Sequence, residues 1–370
     1  MAGKRSTPPF YADQVGSLLR PTVLREAREK AAKGDIPKDA LREIEDREIS
    51  RIVRKQEEVG LQGITDGEFR RFMWHKDFIE GLDGIVSVND EAPVSFMGIQ
   101  VHPINLRAVD KIGFSTHPQI EHFKFLKEKA KATAKTMIPS PSAFAPLKLP
   151  DRQDAKNPAY PDLEKLYDDL GAAYHDAIKA FHAAGCRYLQ IDEVRMVSVA
   201  DPTYIPRINV PGMTIEGLTK IFAGMLERVV RDRPADMTIS MHTCRGNFRS
   251  RWAATGGYEP VAEAMFNIKG IDAYFMEYDS DRAGGFEPLR FLPKDKVVVL
   301  GLITSKTPQL EDKDVIKRRI DQAAKYVDLG QLRLSPQCGF ASTEEGNEIT
   351  ENDQWRKLAL VVEIGREVWR

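Results

Sequence analysis

Short apolar runs alternate along this chain with amphipathic stretches of helix length, and nothing else in the sequence narrows the architecture so far. Eight runs read as strands: 11–17, 63–68, 136–140, 187–192, 237–244, 273–278, 297–304 and 332–338. Between them, 39–59 sets Leu41, Ile44, Ile52 and Val53 along one side of a helix and stops at Gly60, a C-cap. Thr214 caps a helix carrying Leu218, Ile221, Phe222, Met225, Val229 and Val230. The stretch 314–329 repeats the pattern with Val315, Ile316, Ile320, Ala323 and Val327 ahead of Gly330, and Trp355, Leu358, Val361 and Val362 mark a last helix.

Strands separated by helices imply parallel pairing, because a parallel return needs a long crossover. Eight such units predict a TIM (β/α)8 barrel, with an open doubly wound sheet as the alternative. Although 370 residues allow two or three domains, barrels of this kind can fill one, so the expectation is a single catalytic domain over 1–370. The stretch 69–135 is too long for one connection and reads as an excursion between strands 2 and 3, over the barrel mouth. Within it, 83–100 alternates like a hairpin.

Composition excludes several classes of function. Lys plus Arg number 54 and Asp plus Glu 55, giving a net charge of -1, so no basic face for nucleic acid is expected. No apolar run approaches the ~18 residues of a membrane span, and the opening MAGKRSTPPF predicts no secretory leader. Three cysteines cannot build a disulfide framework in so long a chain; a special one would serve metal binding or catalysis. The expectation is a cytoplasmic enzyme, and assembly as a homo-oligomer is compatible with it.

The sharpest local signal is MTISMHTCR at 237–245. Alternate side chains of a strand share a face, so Thr238, Ser240, His242 and Cys244 point together. In a barrel, His242 and Cys244 would emerge at the C-terminal end, where such folds keep their chemistry. Alone, the pair fits a core histidine beside a buried thiol as well as a metal site. Two other strand ends strengthen the metal reading: AYFMEY at 273–278 presents Glu277, and LRLSPQCG at 332–339 runs into Cys338. Cys186 begins its strand, on the opposite rim, and reads as structural.

HTC at 242–244, MEY at 276–278 and PQCG at 336–339 resemble the zinc-binding motifs of the cobalamin-independent methionine synthase family, in its catalytic C-terminal barrel. VGSLLRP at 15–21, ITDGEFRR at 64–71 and LQIDE at 189–193 match that family in the same order, and the resemblance extends over nearly the whole chain. It is similar also to single-barrel bacterial homologues that share EYDSDRAGGFEPL and GLITSKTP. The resemblance implies a zinc-dependent S-methyltransferase that forms methionine from homocysteine, with His242, Cys244, Glu277 and Cys338 as Zn²⁺ ligands. It implies that Gly16, Ser17, Glu68 and Asp192 hold the amino acid part of homocysteine; Glu193 is either a further contact or a helix cap. Arg70 and Arg71 fit anion binding and ion pairing equally.

Departures from the family concern the methyl donor. The N-terminal barrel of the large synthases is missing. TMIPSPS at 136–142 lacks their pterin-stacking tryptophan, and Lys306 stands where they carry a proton-shuttling histidine after the seventh strand. Trp74 and His75 are candidate substitutes. The donor is therefore open between a methyltetrahydropteroyl-glutamate and a methylated corrinoid, the latter delivered by a corrinoid protein. Competing readings are alkyl transfer to another thiol such as coenzyme M, a barrel with only a structural zinc, and a metal-free decarboxylase like uroporphyrinogen decarboxylase. A sulfonate-bearing thiol would want cations where Glu68 and Asp192 stand.

Overall fold

The computed structural model describes residues 7–369 apart from 90–93, 97–98, 102–103, 146–159, 161, 209 and 211. Its strands are β1 (Gly63–Ile64), β2 (Thr133–Ala134), β3 (Thr136–Pro139), β4 (Tyr188–Asp192), β5 (Thr238–Thr243), β6 (Ala273–Glu277), β7 (Val297–Ile303) and β8 (Leu332–Pro336). From β3 to β8 each strand pairs in parallel with its successor in the chain. β1 pairs in parallel with β2, which only Lys135 separates from β3. Beyond β8, a parallel bridge joins Ala12 to Leu334.

Wide crossovers carry the helices: α1 (Thr22–Lys33), α2 (Lys38–Val59), α3 (Leu163–Ala183), α4 (Ile215–Val230), α5 (Lys313–Ala323) and α6 (Glu351–Val368). Their ends follow local chemistry. Gly60, at φ 102, closes α2 with its N–H on Gln56 and Glu57, a left-handed position that suits glycine. The Thr214 hydroxyl accepts from Gly217 N at 3.0 Å to start α4, and Thr350 with Asp353 forms a capping box on α6.

Alternation within the strands builds two layers. Leu189, Ile191, Ile239, Met241, Tyr274, Met276, Val298 and Leu300 join the large core, which includes Leu170 and Ala173 of α3 and Phe222 and Val229 of α4. The intervening residues face the other way, where Phe10, Val15, Tyr188, Phe275 and Val299 form a separate small core. All seven residues of β7 are buried, as expected for a parallel strand covered on both faces.

Three expectations are corrected. The run 11–17 is one bridge at Ala12, and 63–68 is a strand only at β1, because Gly67 (φ 65) and Glu68 (φ 59) turn out of extended geometry. The flanking segments 11–18 and 63–67 meet through Leu18 N to Gly67 O at 3.0 Å, Gln14 Nε2 to Gly63 O at 3.0 Å and Thr65 Oγ1 to Gly16 O at 2.7 Å. No strand pairing joins them among the described residues, so what stands is a parallel α/β sheet whose ends touch. Helix 314–329 is shorter: α5 starts from an Asp312 cap and ends at Ala323, and Leu329–Gln331 is a separate 3-10 turn. The strand within 83–100, Asp83–Asn89, pairs antiparallel not inside that stretch but with Ile104–Gly113, while Val94–Phe96 pairs with Ile99–Val101. Residues 90–93 and 97–98 lie outside the described residues. No helix among the described residues is long and apolar enough to cross a membrane.

Candidate metal centre and substrate pocket

The strand register aligns the functional ends. Pro139 pairs with Asp192, Asp192 with His242, and His242 with Phe275, two residues before Glu277. Cys244 follows β5 directly, and Cys338 follows β8 after Gln337. Donor atoms of His242, Cys244 and Cys338 all lie within 4.8 Å of one another, and all three residues are buried. His242 Nε2 is 3.5 Å from Cys338 Sγ. Tetrahedral zinc with N and S at about 2.0 and 2.3 Å places those atoms about 3.5 Å apart, so this edge already fits the ion. Nδ1 of the same ring is buried with no hydrogen-bond partner among the described residues. Two sulfurs and an imidazole are a borderline-soft set suited to Zn²⁺.

Electrostatics select one sulfur as thiolate. The hydrogen bond from Cys244, reinforced by the His242 ring, holds Cys338 well below the ordinary thiol range, although burial opposes this. The same pairing, together with burial, drives Cys244 well above it. Burial disfavours a charged imidazole at His242, but the Cys338 contact outweighs it and raises the pKa. Cys186 is different: burial pushes it up to about 12, and its Sγ donates to Tyr188 O at 3.4 Å. It stands apart from the donor group, as its position at the strand start led us to expect.

Glu277 is adjacent but turned aside. Its Oε2 accepts from Arg245 N at 2.7 Å, and its Oε1 is paired with Arg282. Burial raises its pKa, yet Lys306, Arg282 and Arg245 outweigh burial and keep it ionised below the usual carboxylate value. Among the described residues, the group that satisfies mutual ligand distances is His242, Cys244 and Cys338, without Glu277. Lys306 is buried, and its Nζ has no hydrogen-bond partner among the described residues.

A cavity of about 310 Å³ opens against this group. His242, Cys244 and Cys338 form one wall; Ser17, Glu68 and Asp192 form another; Trp74 and His75 also line it. Asp192 accepts from Gln190 Nε2 at 2.7 Å, and burial pushes its pKa up to about 7. Gly16, at φ 139, stands where a side chain would be strained, and an added Cβ would lie 2.3 Å from the Met137 methyl and displace it. Ser17 Oγ accepts from Ala341 N at 3.4 Å, beside Gly339 of the Cys338 loop.

Glu193 does not line this cavity. Its carboxylate accepts from Ser140, from Ser142 Oγ at 2.7 Å and from Met196 N at 2.9 Å, an arrangement that ties the loop after β3 to the turn after β4. Arg70 pairs with Glu45 and Asp46, and Arg71 pairs with Glu68 while donating to Ser342 O at 2.6 Å. Sequence reasoning missed Arg282 and Asn247. Asn247 donates to Gly339 O at 2.8 Å and so pins the Cys338 loop. Arg282 lies within EYDSDRAGGFEPL, the segment whose charge pattern, E-x-x-x-x-R, was the available signal.

The chain is similar to several known proteins. The family model described as "Cobalamin-independent synthase, Catalytic domain" matches residues 10–359. The uncharacterized Bacillus subtilis protein YxjH is 47% identical over 369 residues, covering 99% of this chain and 97% of its own. The methionine synthase of Pyrococcus abyssi is 23% identical over 338 residues, covering 90% and 87%. A crystal structure from Listeria monocytogenes, provisionally assigned as a vitamin-B12-independent methionine synthase, superposes with a TM-score of 0.77 at 39% identity, covering 99% of this chain and 100% of that one.

Proposed function

Because the chain belongs to the cobalamin-independent synthase catalytic-domain family, we propose that it is a zinc-dependent S-methyltransferase that converts homocysteine to methionine. The observation that carries this reading is the buried His242–Cys244–Cys338 group forming a wall of the same cavity as Ser17, Glu68 and Asp192. A purely structural zinc site is closed by its protein ligands, whereas these residues border open space. We take the fold to be a closed barrel in one domain, with the 69–135 excursion contributing Trp74 and His75 to the mouth, and the enzyme to be cytoplasmic.

Bound by His242, Cys244 and Cys338, zinc would supply deprotonation of the substrate thiol, which at pKa ~8.5 is mostly unreactive near neutral pH. Glu277 is the reserve carboxylate ligand. Asp192 and Glu68 bind the substrate ammonium, and Ser17 Oγ with the backbone after Gly16 orients its carboxylate. The substrate sulfur then forms a bond to the methyl carbon as the donor's bond to that carbon breaks. The donor's leaving atom keeps the electron pair, and the thiol proton is released. Lys306, a buried ammonium near Glu277 and Cys338, balances part of the negative charge of the ligand set. The donor is a methyltetrahydropteroyl-glutamate or a methylated corrinoid.

The test is methionine formation by zinc-replete protein offered homocysteine with each donor in turn, and coenzyme M as the competing thiol. Methionine from either donor is expected. Failure with both, or a preference for coenzyme M, would overturn the reading.

A further inference from the structure

Glu277 is wholly buried, and both its carboxylate oxygens already have donors from this chain. One donor is the main-chain N–H of Arg245, the residue after Cys244, and the other is the Arg282 guanidinium. Arg282 is itself held from several sides. It also pairs with Asp279 at 3.1 Å, and its guanidinium carbon lies 4.6 Å from the centre of the Trp252 ring. Its carbonyl accepts from Gly256 N at 3.2 Å, and Gly256 O accepts from Arg245 Nε at 2.8 Å. Gly284, at φ 74, packs so closely on Gly257 that an added Cβ would lie 2.9 Å from its Cα. The short turn Asp281–Ala283 is thus fixed to the loop that follows Cys244.

A fixed cation facing a carboxylate next to a soft donor set has a consequence for that set. The carboxylate has two destinations, the guanidinium or the cation held by His242, Cys244 and Cys338, and each Arg282 contact lowers the free energy of the first. We propose that Arg282 is a positioning residue that draws the Glu277 carboxylate away from the metal and so keeps one coordination position free for the substrate thiol. This rests on the zinc–thiol reading above and adds to it which residue governs the ligand exchange. Arg282 touches neither substrate nor metal. Its bidentate-capable planar fork and permanent charge suit it to receive a displaced carboxylate, and outer-shell partners of this kind set metal affinity over about 10–100-fold.

The experiment compares wild type, Arg282→Gln, Arg282→Lys and the double variant Arg282→Gln/Glu277→Gln. It measures zinc affinity by competition with a chromophoric chelator and homocysteine affinity of the zinc-loaded protein by calorimetry. With Arg282→Gln the released carboxylate should close the site, so zinc binds about tenfold more tightly and homocysteine about tenfold more weakly. Arg282→Lys, which keeps the charge, should lie near wild type. The double variant should recover homocysteine binding, because no carboxylate remains to compete. Unchanged zinc and homocysteine affinities in Arg282→Gln, or zinc affinity that falls together with the melting temperature, would make Arg282 merely structural and overturn the proposal, while leaving the zinc–thiol reading intact. A wild-type protein that binds no zinc would instead remove both.

Discussion

His242 Nε2 and Cys338 Sγ lie 3.5 Å apart although 96 residues separate them in the chain. The contact exists because β5 and β8 run parallel in one sheet, so that their C-terminal ends open on the same side. Cys244 joins the pair from the residue after β5. A histidine and two thiols so placed form a borderline-soft donor set suited to a divalent cation.

Removing one member of that group should remove the metal. Cys338→Ser and His242→Asn are expected to purify with substoichiometric zinc, measured by inductively coupled plasma mass spectrometry. Cys186→Ala should retain full zinc, since Cys186 stands outside the group. Equal zinc in all three would place the ion elsewhere.

Asp192 should discriminate thiols by their amine. The charge-assisted bond to a substrate ammonium is worth about 1.5–3 kcal/mol, so Asp192→Asn should weaken homocysteine binding by roughly 10–100-fold. A thiol of similar size without the amine should bind wild type and variant alike. If both thiols weaken equally, the residue shapes the pocket rather than reading the ammonium.

Glu193 should behave as a structural residue. Glu193→Gln disturbs the acceptor shared by Ser140, Ser142 and Met196 N, and is expected to cost about 1–3 kcal/mol of stability in chemical denaturation. Homocysteine affinity of the folded fraction should stay within a few-fold of wild type. A large loss of affinity at unchanged stability would return Glu193 to the substrate site.

These two carboxylates mark how far the sequence could be read. Asp192 ends β4 and Glu193 follows it, and LQIDE predicts that both stand at a functional end. Which one faces the cavity depends on the turn after Asp192 and on Ser140 and Ser142, about fifty residues upstream, a tertiary fact with no local period. The strands β3 to β8 were legible because each is a short, almost wholly buried run. The first two were overextended because Gly16, Gly67 and Glu68 leave extended geometry within apolar-looking segments. The same limit applies to Glu277. Its position at the end of β6 is plain from AYFMEY, but the direction of its carboxylate is set by Arg282 and by the Arg245 N–H of another loop.

A buried lysine gives the protein a measurable alkaline response. Lys135 is fully buried beside Asp13, between the rings of Tyr188 and Phe275, and burial lowers its pKa from 10.5 to about 8. Between those pH values the unfolded chain holds a proton that the folded protein has released, so stability from this group rises with pH across the window. The rise is about 3 kcal/mol at most, from about 1.4 kcal/mol for each pH unit of difference. Denaturant melts at pH 7.5 and 9.5 span about 2 kcal/mol of that rise, which Lys135→Met should lack relative to wild type. A parallel pH dependence in the two proteins would mean that Lys135 stays charged throughout.

X-ray absorption at the zinc edge tests the central claim most directly, because it counts sulfur neighbours. With zinc bound to the free protein the account predicts two sulfurs at about 2.3 Å, from Cys244 and Cys338, and a third on addition of homocysteine. A sulfur count that stays at two when homocysteine is bound would contradict it.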